Sequence, residues 1–159
     1  MAELLASTTI YHGNAENTGS AMAMRLRPCT LRENGYLQVE MARQKTVAGE
    51  SSETFPTFDW ADKISFRLTP FEVGEVISCL RGITVDIRDG LGFVHKSSKN
   101  VIKVQVSHIG EPEPMVLVSA SQKSEKTEET KEVAIKLTMA EAMSVEYALY
   151  ASMGNLFFG

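Results

Sequence analysis

Apolar and polar positions alternate strictly over much of the chain. In residues 21–28 (AMAMRLRP), Met22, Met24 and Leu26 share one face while Ala21, Ala23, Arg25 and Arg27 take the other, the period of a half-buried strand. Leu37, Val39 and Met41 alternate in the same way with Tyr36, Gln38 and Glu40, and Ile64, Phe66 and Leu68 with Lys63, Ser65 and Arg67. Residues 8–12 are β-prone, residues 14–20 form a polar loop, and Asn34-Gly35 predicts a type I′ hairpin turn. Residues 46–56 read as a loop. The period then switches to that of a helix. Thr69 and Glu72 form a capping box, Pro70 suits the first helical position, and Val73, Val76, Ile77 and Leu80 make one apolar stripe. Gly82 is its expected stop.

The second half repeats this order. Strands are predicted at 85–88 continuing through a turn or bulge to 93–96, and at 102–106, 115–121 and 133–137, with a charged hairpin over 122–132. Thr138 and Glu141 then form a second capping box, and Gly154 is the expected end of the second helix. "LTPFEVGEV" and "LTMAEAMSV" are one device used twice, so the chain reads as a pseudo-duplicated (ββββα)₂ of the α+β class.

At 159 residues, residues 1–159 are expected to form a single domain, and 43% hydrophobic with 23% charged residues is ordinary for a soluble globular protein. No apolar run approaches the roughly 18 residues of a membrane span. The first residues lack a secretory signal and are too poor in Arg for an intact transit peptide, although they are compatible with removal of one. Cys29 and Cys79 have no metal-like spacing, and Cys79 reads as a buried thiol in a helix. A reducing intracellular setting is expected, either cytoplasm or nucleoid or an organelle matrix. His12, His95 and His108 are scattered. The motifs of a nucleophile elbow, a P-loop and a zinc protease are missing, and the G-x-G at 90–92 has no helix after it. The expectation is a non-enzymatic protein with no catalytic residue, metal, cofactor or small-molecule substrate.

The net charge of −4 counts against a general polyanion binder. The charge is nevertheless segregated: five bases face two acids over residues 21–45, and four lysines face eight glutamates over 111–146. One basic face on an acidic molecule is therefore allowed. Arg25, Arg27, Lys63 and Arg67 with Tyr36 would neutralise phosphates and stack on unpaired bases. The same pattern also serves simply to solubilise a sheet. Trp60 either anchors the core at a strand start or offers a stacking platform.

Residues 58–76, "FDWADKISFRLTPFEVGEV", resemble the Whirly family, whose wider superfamily includes mitochondrial guide-RNA-binding proteins and a single-stranded-DNA-binding coactivator. The carboxy-terminal strand-to-helix join and the first hairpin are similar as well. The resemblance implies two roughly perpendicular four-stranded antiparallel sheets with a helix after each. It also implies a homotetramer, with single strands lying along sheet surfaces between neighbouring protomers. Trp60 and Lys63 match the Trp and Lys of the motif, while Arg25, Arg27, Tyr36 and Arg67 are added from their predicted outward orientation. The expected function is binding of single-stranded DNA with little sequence preference, coating or protecting extended strands. The alternatives are RNA binding or annealing, and an assembly subunit that has lost nucleic-acid binding. Ala140, Met143, Tyr147, Tyr150 and the "LFFG" tail would serve the tetramer or cover their own sheet. One departure stands out: the loop "GNAENTGSA" (13–21) carries Glu16 and no base where the family has a Lys-Gly-Lys-like turn. Weaker binding and weaker higher-order assembly are the expected consequences.

Overall fold

A computed structural model of the chain describes residues 7–49, 55–86, 92–96, 101–109, 114–123 and 129–158. The first half contains β1 (Ser7–His12), β2 (Ser20–Arg27), β3 (Tyr36–Thr46), β4 (Thr57–Phe58), a 3₁₀ turn (Trp60–Asp62), β5 (Ile64–Leu68) and α1 (Pro70–Asp86). The second half contains β6 (Gly92–Lys96), β7 (Val101–Ile109), β8 (Met115–Lys123), β9 (Thr130–Thr138) and α2 (Met139–Phe158). One antiparallel sheet runs β1-β2-β3, with β4 and β5 sharing the next position along β3; the other runs β6-β7-β8-β9. The α+β class and the repeated strands-then-helix order are those read from the sequence. The fourth position of the first sheet differs in being split, where β3 bulges between Gln44 and Thr46.

Alternation decides which face closes. Met22, Met24 and Leu26 from β2, Leu37, Val39 and Met41 from β3, and Ile64, Phe66 and Leu68 from β5 are all buried. They share one core with Val116, Val118, Ala120, Val133, Ile135 and Leu137 of the second sheet. Val73, Val76 and Leu80 of α1 and Ala142, Val145 and Leu149 of α2 complete it. Polar bonds tie the sheets together at one end. Ser20 donates its hydroxyl to the Ala134 carbonyl at 2.6 Å, and Arg43 donates Nε to the Glu132 carbonyl at 2.8 Å.

Both capping boxes form. Thr69 N donates to Glu72 Oε1 (3.1 Å) while Glu72 N donates to Thr69 Oγ1 (3.3 Å). Thr138 and Glu141 repeat the exchange at 2.9 and 3.1 Å. The helices run past their expected stops. α1 continues through Gly82 to Asp86, so Val85 and Asp86 are helical rather than the start of a strand; Ile87 and Arg88 lie outside the described residues. An internal glycine costs a helix only about 1 kcal/mol, which the packing of the preceding turns offsets.

α2 likewise passes Gly154 and ends at Phe158, because its last turn is built into the fold. Cys29 N donates to the Asn155 carbonyl (2.9 Å) and Gly35 N to the Leu156 carbonyl (3.1 Å), which satisfies acceptors that a helix end leaves open. Leu156 is fully buried and Phe157 meets Phe71 edge-on at 5.4 Å, so these tail residues pack against their own protomer.

That docking also explains why no type I′ turn forms at Asn34-Gly35. Among described residues only Asn17 and Gly49 have positive φ, and the β2–β3 connection is the longer loop 28–35. A Cβ on Gly35 would lie 2.6 Å from the Arg27 carbonyl and 3.0 Å from Leu156 Cα, so this glycine serves close approach to α2. The charged hairpin is present, with Lys123 opposite Thr130, although 124–128 lie outside the described residues, as do 89–91 of the expected turn or bulge. Among the described residues no helix is long and apolar enough to cross a membrane.

Candidate nucleic-acid interface

The outer face of the first sheet carries the sequence-predicted bases, and its register fixes which of them meet. Arg25 pairs with Gln38 and Gln38 with Arg67, so the two arginines flank a glutamine in one row across three strands. At about 4.8 Å per strand their Cα atoms lie roughly 10 Å apart. The next row places Arg27 opposite Tyr36. Arg25, Arg27 and Arg67 are exposed, Tyr36 is half-buried, and no described acid pairs with any of the three arginines.

Arg67 is held in place. Its guanidinium sits 4.5 Å from the Tyr36 ring centroid and its Nε donates to Gln38 Oε1 at 3.3 Å. Gln38 is steadied in turn by donating Nε2 to Ser65 Oγ. One side of the Tyr36 ring is thus covered by the Arg67 guanidinium.

Trp60 and Lys63 sit elsewhere. Trp60 is half-buried on the 3₁₀ turn, and Lys63 precedes β5. Lys63 to Arg67 spans about 13 Å at strand rise, so the six predicted residues form two groups rather than one. Lys63 is also engaged, its Nζ 3.0 Å from Glu40 Oε2. The turn beneath is anchored to β9 by Asp62 and Lys131 at 2.9 Å, and the hydrogen bond and charge of Lys131 hold the Asp62 carboxyl below its ordinary range.

Two features escaped sequence reasoning. Tyr11 is exposed on this same face and rests on Phe58, ring centroids 5.4 Å apart; the alternation of Thr9 and Tyr11 against Thr8 and Ile10 was the available signal. The base-free loop is also ordered. The Gln44 side chain accepts from the amides of Asn14 (3.0 Å) and Gly19 (3.1 Å) and donates to the Asn14 carbonyl (2.9 Å), while Asn14 and Thr18 bond each other. The buried Gln44 side chain thus organises this hairpin through neutral hydrogen bonds.

His12 and His95 have structural partners. His12 Nε2 lies 2.8 Å from Glu141 Oε2, and His95 Nδ1 contacts Glu72 Oε2. Each histidine therefore meets the capping-box carboxylate of the other half's helix. The His108 side chain lies outside the described residues.

The same architecture occurs in solved structures. WHY1 from Arabidopsis thaliana superposes with a TM-score of 0.73 at 18% identity, over 96% of this chain and 85% of that one. The plant transcriptional regulator PBF-2 gives 0.70 at 18%, over 95% and 81%. Trypanosome MRP1/MRP2 gives 0.69 at 14%, over 96% and 86%. The chain has the Whirly fold, shared by plant Whirly proteins and by MRP1/MRP2. No family model matches the sequence, and no curated protein matches it either.

Proposed function

We propose that this chain is a non-catalytic protein that binds single-stranded nucleic acid, DNA in the first instance, along the outer face of its first sheet and with little sequence preference. The observation that carries the reading is the Arg25–Gln38–Arg67 row with Arg27 and Tyr36 beside it. These guanidiniums lie on an exposed face with no acidic partner among the described residues, one of them pre-oriented on a tyrosine. Guanidiniums neutralise phosphates, and an arginine plane supported by an aromatic ring accepts a base on its free side. Trp60 and Lys63, with Tyr11 and Phe58, would extend the track towards the other end of the sheet. Lys63 then contributes only when its pair with Glu40 opens.

The resemblance to the Whirly family supports the same reading and supports a homotetramer. The predicted helical stripe favours assembly: Met143, Tyr147 and Tyr150 are exposed, while the core takes Ala142, Val145 and Leu149 instead. Such an outward apolar patch suits contact between copies.

The test is fluorescence anisotropy with labelled 32-mers of single-stranded DNA, single-stranded RNA and duplex DNA at low and physiological salt. Tight binding of single-stranded DNA that weakens with salt is expected. Preference for RNA would shift the reading to RNA binding or annealing. Failure to bind any of the three at low salt would leave a Whirly-fold assembly subunit.

A further inference from the structure

The first sheet ends on an unguarded strand. β1 pairs with β2 along one edge, and no described strand lies on its other edge. Alternate residues therefore point their amides and carbonyls away from the ladder. Edge strands are ordinarily protected by charge, proline, bulges or shortness. β5, β6 and β9 each carry a Lys or Arg, and β4 is two residues long. β1 (STTIYH) has six residues in unbroken register, with no proline, lysine, arginine or acid.

Beside β1 runs a groove of about 300 Å³. Thr8 and Ile10 form one wall, and Ala140, Ser144, Ala148 and Ser152 of α2 form the other. These four recur at every fourth position, in one row about 18 Å long, and the six residues of β1 span about 17 Å. Ser144 and Ser152 donate their hydroxyls to the carbonyls of Ala140 (2.8 Å) and Ala148 (2.7 Å), which leaves a low, neutral wall that a backbone can approach. Met24 and Leu26 supply an apolar floor. Among the described residues the one acid or base on the lining is Glu141, 2.8 Å from His12 at the end of β1. Neither β1 nor α2 contains a Lys or Arg.

We propose that this groove takes an extended segment of a partner protein, which adds to β1 as a further antiparallel strand. The segment begins with a basic residue and continues with small or branched aliphatic residues at alternate positions. Main-chain bonds to β1 hold it, and alternate side chains fill the groove between β1 and α2. Antiparallel pairing sets its amino-terminal end beside His12, where its base meets Glu141. Charge complementarity selects that base, because the walls offer a carboxylate and no Lys or Arg. The groove lies on the sheet face opposite the arginine row, so this site and the nucleic-acid reading succeed or fail separately.

The probe is the hexapeptide acetyl-Lys-Thr-Val-Thr-Val-Thr, labelled with fluorescein at its carboxy terminus and titrated into the full chain by anisotropy. Saturable binding with a Kd below about 1 mM is expected, with slowed hydrogen exchange at the β1 amides. N-methylation of every second residue, made in both phases, should weaken binding at least about tenfold in one phase and little in the other. Ala148→Phe fills the groove from an exposed position and should weaken binding as much, with circular dichroism confirming the fold. Replacing the peptide's Lys by Glu should weaken binding about two- to fivefold, and Glu141→Gln should erase that difference. Absence of saturation by about 1 mM would overturn the proposal, as would equal binding in both N-methylated phases. Binding that Ala148→Phe leaves intact would place the peptide elsewhere and overturn it too. Self-association that Ala148→Phe abolishes, without peptide binding, would assign the groove to a second copy instead. Peptide binding seen only after removal of residues 1–6 would assign it to the chain's own amino-terminal segment, and either result would overturn the choice of occupant.

Discussion

Salt dependence separates the residues of the outer face by the company each keeps. Arg25, Arg27 and Arg67 are exposed and have no acidic partner among the described residues, whereas Lys63 is paired with Glu40 at 3.0 Å. For single strands each neutralised phosphate contributes about −0.7 to the slope of log K against log salt, so three contacts per protomer give about −2. Between roughly 50 and 200 mM salt, that slope corresponds to an affinity loss of about 20-fold. Removing Arg67 should bring the slope to about −1.4 and the loss to about 7-fold, and Arg25→Ala should do the same. Arg67→Ala should additionally cost roughly 1–3 kcal/mol of salt-independent stacking, because it removes the plane held over Tyr36. Lys63→Ala should leave the slope nearly unchanged, since that ammonium already has its counter-charge. Glu40→Ala should release Lys63 and steepen the slope by about 0.7. Anisotropy titrations of a labelled single strand at five salt concentrations, repeated for each variant, measure all of this. Equal slopes in wild type, Arg25→Ala and Arg67→Ala would refute the assignment of the arginine row. A fall in Lys63→Ala as large as in Arg67→Ala would refute the argument from pairing.

Three stability predictions follow from the fold. Burial pushes the Glu141 carboxyl up, but the Thr138 amide and His12 outweigh it and hold it below its ordinary value of 4.5. A depressed carboxylate contributes stability above that ordinary value and loses it as pH falls through the folded value, so Glu141→Gln should flatten the acid limb of thermal stability below about pH 4.5. Gly35→Ala should destabilise by about 1–3 kcal/mol in urea unfolding, because its Cβ must push aside the Arg27 carbonyl and the last turn of α2. Leu156→Ala should cost about 2–5 kcal/mol in the same assay, the range for a core leucine, and a near-neutral result would show that the carboxy-terminal turn is not part of the core.

What the sequence made legible was local. Period-two alternation fixed the inner and outer faces of β2, β3 and β5, and the Thr-x-x-Glu boxes marked both helix starts, because each signal is complete within a few residues. Helix ends were not legible. Gly82 and Gly154 resemble stops, yet the continuation of α2 depends on amides at Cys29 and Gly35, more than a hundred residues away in the chain. The turn at Asn34-Gly35 misled for the same reason: the glycine serves the approach of Leu156. At the candidate interface, side-chain direction was read correctly for Arg25, Arg27, Tyr36 and Arg67. Trp60 and Lys63 stand farther along from them, because nearness in sequence along an extended strand means about 3.3 Å per residue, not contact. The Glu40 partner of Lys63 came from register, which the pattern of a single strand does not carry.

The two histidines show how the halves are joined into one scaffold. Each capping-box glutamate uses one oxygen for the backbone of its own helix and the other for a histidine on the first strand of the opposite half: Glu141 with His12 of β1, Glu72 with His95 of β6. A glutamate committed to both tasks fixes the start of its helix relative to the other sheet, in addition to the strand that leads into it. The duplication therefore produces a reciprocal clasp rather than two helices each packed only against its own strands. β1 belongs to the sheet whose outer face carries the arginine row, and its pairing with β2 sets Ser7 against Arg25. Anchoring His12 at the far end of β1 to Glu141 thus ties that sheet to α2, the helix bearing the exposed Met143, Tyr147 and Tyr150.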